Sequence, residues 1–246
     1  MPFLLHIVFS IFVLMKRLFL IGSFLTCFAF STAQELVKEQ LNDTIDVKYR
    51  EDQYYISVTY NLLNNKTSDL SQSGFSPGLH IGVIRDIPLN KNRNFGIGIG
   101  LGYSGNVINQ NLAIDDINGN FDFTTLDSDD FIRNNLIYHT LELPFEVRWR
   151  TSNSYEYAFW RIYTGFRLGY LIGARSRLRA GAIDQKTQIA DAMNKWQYGL
   201  TLSAGNDKIN AYMYYGLNAL FNDEQLLNGQ SIDISTFKIG LILYIL

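Results

Sequence analysis

From Gln53 to the carboxyl terminus, apolar and polar side chains alternate in a period of two. The clearest stretch is Leu141–Arg150, LELPFEVRWR. Leu141, Leu143, Phe145, Val147 and Trp149 share one side of an extended strand, because successive side chains alternate across the pleat. Glu142, Pro144, Glu146, Arg148 and Arg150 share the other. The apolar side is unbroken, and the polar side carries charges of both signs. A strand between lipid and a closed, charge-paired interior needs this pattern.

Seven further stretches follow the same rule. Tyr54, Ile56, Val58, Tyr60 and Leu62 alternate with Tyr55, Ser57, Thr59 and Asn61. Leu79, Ile81 and Val83 alternate with Gly78, His80 and Gly82. Phe95, Ile97, Ile99, Leu101 and Tyr103 alternate with four glycines. The remaining stretches run from Trp160 to Gly173, Trp196 to Ser203, Ile209 to Asn218 and Phe237 to Ile245. Their connections alternate long and short, with polar, acidic Asn106–Asn134 and Ala174–Asn194 among the long ones and Gly205-Asn206-Asp207 as a tight turn. The pattern predicts an all-β fold: a closed antiparallel transmembrane β-barrel of about eight strands, each long enough to cross a tilted path through a bilayer. It has short periplasmic turns and long extracellular loops.

Aromatic placement gives a second, independent signal. Trp149 ends one strand and Trp160 begins the next, while Trp196 and Tyr103 lie at opposite strand ends. All four fall on the outward face, which predicts two interfacial girdles. The soluble alternative is a lipocalin-like barrel or a sandwich, with the apolar faces turned inward and the Arg/Glu faces in water.

The amino terminus reads differently. Met15-Lys16-Arg17, the apolar run Leu18–Phe30 and Ser31-Thr32-Ala33 read as a cleaved export signal within residues 1–33, with Met15 the expected start. The alternative is one membrane anchor over Pro2–Phe30, which Lys16 and Arg17 interrupt. Residues 34–52 form a polar periplasmic lead-in, and 53–246 the barrel.

Composition narrows the function. The 246 residues are 47% hydrophobic and 18% charged, with net charge −2, so nucleic acid is not an expected partner. Fifteen Tyr and 17 Phe suit β structure and girdles. The only cysteine, Cys27, lies in the export signal, which leaves no thiol chemistry for the mature chain.

Candidate chemistry points away from catalysis. Gly100-Leu101-Gly102-Tyr103-Ser104-Gly105 fits a dinucleotide fingerprint, but no helical pattern follows. These glycines instead clear interior space for bulky groups such as Arg167 or Tyr214, or allow sharp coiling. Glu142, Glu146, Arg148, Arg161 and Arg167 all face the predicted lumen and form a charge ladder, with Glu142 or Glu146 meeting Arg161 or Arg167 across neighbouring strands. His80 and His139 point to opposite faces, and no metal set or triad can be assembled. Neither a cofactor nor enzymatic activity is expected. Arg175, Arg177 and Arg179 either pair with the acidic Asp127–Asp130 loop, hold anionic lipopolysaccharide, or stay solvated.

The run LELPFEVRWR, followed by Phe159-Trp160-Arg161-Ile162-Tyr163, resembles the PorT family of outer-membrane β-barrel proteins of Bacteroidota. The resemblance covers residues 34–246. It implies a component of the type IX secretion system, named a probable protein-translocating porin and needed for protein secretion and, in gliding species, for motility adhesins. It implies contacts with other type IX secretion components. Lys238, Gly240, Leu243 and Ile245 look like the terminal signal read by the outer-membrane assembly machinery. About eight strands leave a lumen that side chains fill, so such a barrel would act through partners and outer-membrane lipid contacts. The competing expectation is a small structural or ligand-binding barrel unrelated to secretion.

Overall fold

The computed structural model describes residues 52–90, 93–117, 119–127, 129–151, 160–222, 229 and 231–245. The export signal and nearly all of the lead-in lie outside the described residues. Eleven strands and no helix occur among those described: β1 (Gln53–Asn64), β2 (Pro77–Pro88), β3 (Phe95–Asn109), β4 (Leu112–Ile117), β5 (Asn120–Thr125), β6 (Arg133–Arg150), β7 (Trp160–Ala180), β8 (Ile183–Gln188), β9 (Trp196–Asn206), β10 (Ile209–Gly216) and β11 (Ser235–Ile245). Eight of them form a ring in the order β6, β3, β2, β1, β11, β10, β9, β7, and β6 pairs with β7 to close it. All pairings are antiparallel. The fold is a closed eight-stranded antiparallel barrel.

Its faces are inverted relative to a soluble protein. Arg148 and Arg150 are the largest fully buried side chains, whereas Leu79, Leu101, Leu200 and Leu241 are about half exposed. A lipocalin-like interior would reverse these positions. Trp149 and Trp160 stand outward at one end, and Tyr103, Tyr170 and Trp196 stand outward at the other. The ten steps from Trp160 to Tyr170, at about 3.3 Å each and a tilt near 40°, rise about 25 Å, the height of a lipid-facing band.

Three local features explain departures from a plain alternation. First, the β3–β6 ladder lapses at Gly100 and Leu101, opposite Leu143 and Pro144, where the proline has no amide hydrogen to donate. Second, the glycines of β3 leave room for Tyr55 and Arg148 rather than for Arg167 or Tyr214. A Cβ on Gly102 would stand 1.9 Å from the Tyr55 hydroxyl, and one on Gly98 would stand 2.5 Å from Arg148 Nε. Tyr214 instead packs over Gly199. Third, Gly173 pairs with His139 and Leu171 with Thr140, so Ile172 is an extra residue on β7. This bulge exchanges the two faces for the rest of the strand. Gly173, expected inside, therefore lies outside.

The long connections are not merely polar. β3 and β7 run past the expected strand ends, β4 and β5 form a hairpin, and β8 pairs with the end of β7. The tight turn also lies two residues later than expected, at Asp207-Lys208, with Asp207 at φ 55° and Gly205 inside β9.

Leu200 lies outward at mid-height, in register with Phe166. Leu200→Arg is expected to cost about 2–4 kcal/mol, since a cation there faces hydrocarbon. Urea unfolding of the barrel in lipid vesicles, followed by tryptophan fluorescence, measures it.

Candidate functional site: a charged lumen under an apolar cap

The lumen is filled by side chains arranged in layers, because a narrow eight-stranded ring leaves little more than side-chain room. Nearest the short turns, Asp86 of β2 joins two arginines of β6. Its two carboxylate oxygens stand 3.0 Å from Arg148 and 2.7 Å from Arg150. Arg148 also meets Glu146 at 3.0 Å and donates to Gln53 Oε1 at 3.2 Å. The Tyr244 hydroxyl donates to Glu146 at 3.2 Å. The Arg148 guanidinium lies over the rings of Tyr163 and Tyr244, at 4.7 and 5.5 Å. Arg161 is buried in the same region, in register with Arg150.

The middle layer centres on Glu142. Arg167 donates to it at 3.0 Å, and His80 Nδ1 lies 3.1 Å away. His80 Nε2 reaches Thr59 at 3.3 Å. Arg167 sits between the faces of Tyr212 and Tyr55, at 5.1 and 5.5 Å. Above this layer, the Lys238 ammonium donates to Asn106 at 2.9 Å and lies over Tyr214 and Tyr138.

All five residues of the expected charge ladder thus face inward, and Glu142 and Arg167 meet across β6 and β7. Glu146 meets Arg148 of its own strand instead of Arg161 or Arg167. Asp86 and His80 complete the network. Asp86 lies three residues past the end of the sequence alternation in β2, so carrying that alternation further would have revealed it. Lys238 of the terminal signal is a lumen residue, while Leu243 and Ile245 lie on the outward face and Gly240 packs against the Val58 carbonyl.

A hydrophobic cluster closes the outer end. Leu70, Leu112, Phe123, Met193, Phe221 and Ile234 come from all four long connections and pack on Ile108, Leu136 and Leu171 at the lumen mouth. Phe123 and Phe221 meet edge to face at 5.3 Å. Asparagines fasten the loops to one another: Asn194 donates to the Ala219 and Phe221 carbonyls at 2.8 Å, and Asn111 to those of Asp69 and Leu126. Isolated apolar residues within polar connections were the available sequence signal.

Outside the spanning band, Asp184 of β8 accepts from Arg177 at 2.9 and 2.7 Å and from Arg179 at 3.3 Å. Arg177 holds this exposed carboxyl below the usual aspartate range. The carboxylate is therefore charged at neutral pH, and its pairing is lost as pH falls through that depressed value. Asp127–Asp130 forms no ion pair with the arginines among the described residues; of the three readings left open, the bridge across the mouth is not formed, and Asp184 pairs with Arg177 and Arg179 instead. His139 lies outward, 2.7 Å from the Tyr103 hydroxyl and stacked on its ring, at the outer girdle.

A family model for the outer membrane protein beta-barrel domain matches residues 32–222. The chain belongs to this outer-membrane β-barrel family. It is a protein of the outer membrane, and the aromatic-edged band is the part that crosses it. No curated protein matches the chain. Among solved structures, the barrel is similar to Ail, the attachment invasion locus protein of Yersinia pestis, at 9% identity and a TM-score of 0.29, over 80% of this chain and 99% of that one.

Arg167→Met, which removes the guanidinium from buried Glu142 and leaves His80 as its direct partner, is expected to lower the barrel's stability by about 3–5 kcal/mol. Glu142→Gln added to it should cost less than the two single changes together, because each single change strands a charge. Urea unfolding of the four proteins in vesicles closes this cycle.

Proposed function

We propose that the barrel is a non-enzymatic accessory component of type IX protein secretion, acting through partner contacts at its surface. The observation that carries this reading is the filled, capped lumen. Arg148, Glu142, Arg167 and Lys238 occupy the bore, and the loop cluster covers its outer mouth. No path for a protein passes through such a ring. The likeness of LELPFEVRWR and the following Trp160-Arg161-Ile162-Tyr163 to the PorT family supplies the link to secretion. Its partners would be other components of that system, the assembly machinery that reads β11, and outer-leaflet lipid, including lipopolysaccharide.

A second reading is a ligand-binding or structural barrel, in which the outer face carries the function. The cap favours it, since residues from all four long connections share one apolar core at the outer face.

Deleting the gene should abolish secretion of proteins bearing the type IX export signal. Unchanged secretion would refute the first reading and leave the second. The purified barrel in planar bilayers should show no protein-sized conductance. A large, steady open channel would show that the lumen is not sealed.

A further inference from the structure

The bulge at Ile172 places Arg175, Arg177 and Arg179 on the outer wall of β7, where continued alternation would have sent them into the lumen. Arg133 of β6 stands directly opposite Arg179, and Lys186 of β8 opposite Arg177. Asp184 is the carboxylate within this group, so five cations face one acid. Arg133 and Arg175 meet no carboxylate among the described residues.

This wall continues into a largely apolar groove of about 520 Å³, lined by Phe75, Pro77, Val107, Ile132 and Ile137 together with Arg133 and amide side chains such as Asn109. Phe75 and Ile132 are 66% and 75% exposed, unusual for large apolar side chains beyond the lipid-facing band. Arg133 also lines a smaller cleft with Asn135, Arg177 and Arg179, so it joins the apolar and cationic parts. Arg175 lies five residues beyond Tyr170, about 12 Å further out along a tilted strand, and an arginine side chain can reach back toward the interface.

A cationic wall with an apolar groove, immediately above acyl chains, fits one kind of neighbour: an amphiphile with anionic groups at its sugar head. We propose that this wall binds a phosphorylated glycolipid of the outer leaflet, with Arg133 and Arg175 on its phosphates and the Phe75–Ile137 groove against its apolar part. The guanidinium fork suits phosphate oxygens. The inference specifies the lipopolysaccharide contact named above and rests on the barrel's place in the membrane. It is independent of the secretion reading, because lipid binding is measured on the purified protein.

The test uses the full chain purified in mild detergent and native mass spectrometry. The probes are bis-phosphorylated lipid A, the same lipid treated with phosphatase, and phosphatidylglycerol. Bis-phosphorylated lipid A should stay bound. Removing two charge-assisted contacts in Arg133→Ala/Arg175→Ala should weaken it about tenfold or more. Lys208→Ala, at the opposite end, should bind as the parent does. Heat-modifiable migration checks that each variant is folded, and the single Arg175→Gln variant carries the comparison if the double variant is not. Equal retention of the dephosphorylated lipid, equal retention of phosphatidylglycerol, or unchanged binding by the folded arginine variants would each overturn the proposal.

Discussion

Hydrocarbon offers no hydrogen bonds, and that constraint shapes the whole molecule. A strand in lipid must have its amides and carbonyls satisfied by neighbours on both sides, so the sheet has to close. Closure with eight strands then dictates the interior. The bore is too narrow for bulk water and too wide to be left empty, so side chains fill it. Once arginines enter, their charges need partners, because an isolated buried charge is far costlier than a paired one. Asp86, Glu142 and Glu146 meet that need, and tyrosine faces supply the rest of the cation environment. The glycines of β3 belong to the same arrangement. Tyr55 and Arg148 can cross the lumen only because Gly102 and Gly98 present bare backbone to them.

The interior charges and the greasy exterior are two consequences of one alternation. Sidedness was therefore the most legible property of the sequence. A period of two fixes which residues share a face without any knowledge of which strands are neighbours. It placed Glu142, Arg148, Arg161 and Arg167 together and set Trp149, Trp160, Trp196 and Tyr103 against them. Partner choice was not legible to the same degree. Whether Glu146 reaches Arg148 or Arg161 depends on stagger between strands and on rotamers, and neither leaves a periodic mark in the chain.

What the pattern missed shares one physical origin. Period-two reasoning fails where the period is interrupted or where burial is local. The bulge at Ile172 adds one residue and reverses every face beyond it, so the side on which Arg175 lies could not be read by counting from Trp160. The outer cap fails differently. Its apolar members sit singly among polar neighbours, as Leu70 and Phe123 do, and their shared core appears only when four loops converge. Asp86 was the simplest loss: the alternation in β2 continues, but Ile84 on the polar side disguised it.

The cap also sets how this surface can change over generations. In many loops that face the outside, sequence can drift freely under attack by phage or antibodies. Here each long connection contributes residues to one shared stopper, so drift within any of them disturbs the other three. Diversification must then concentrate around the hairpin tips at Gly119 and Gly181, where an added side chain would meet open space, while the floor beneath them keeps its shape.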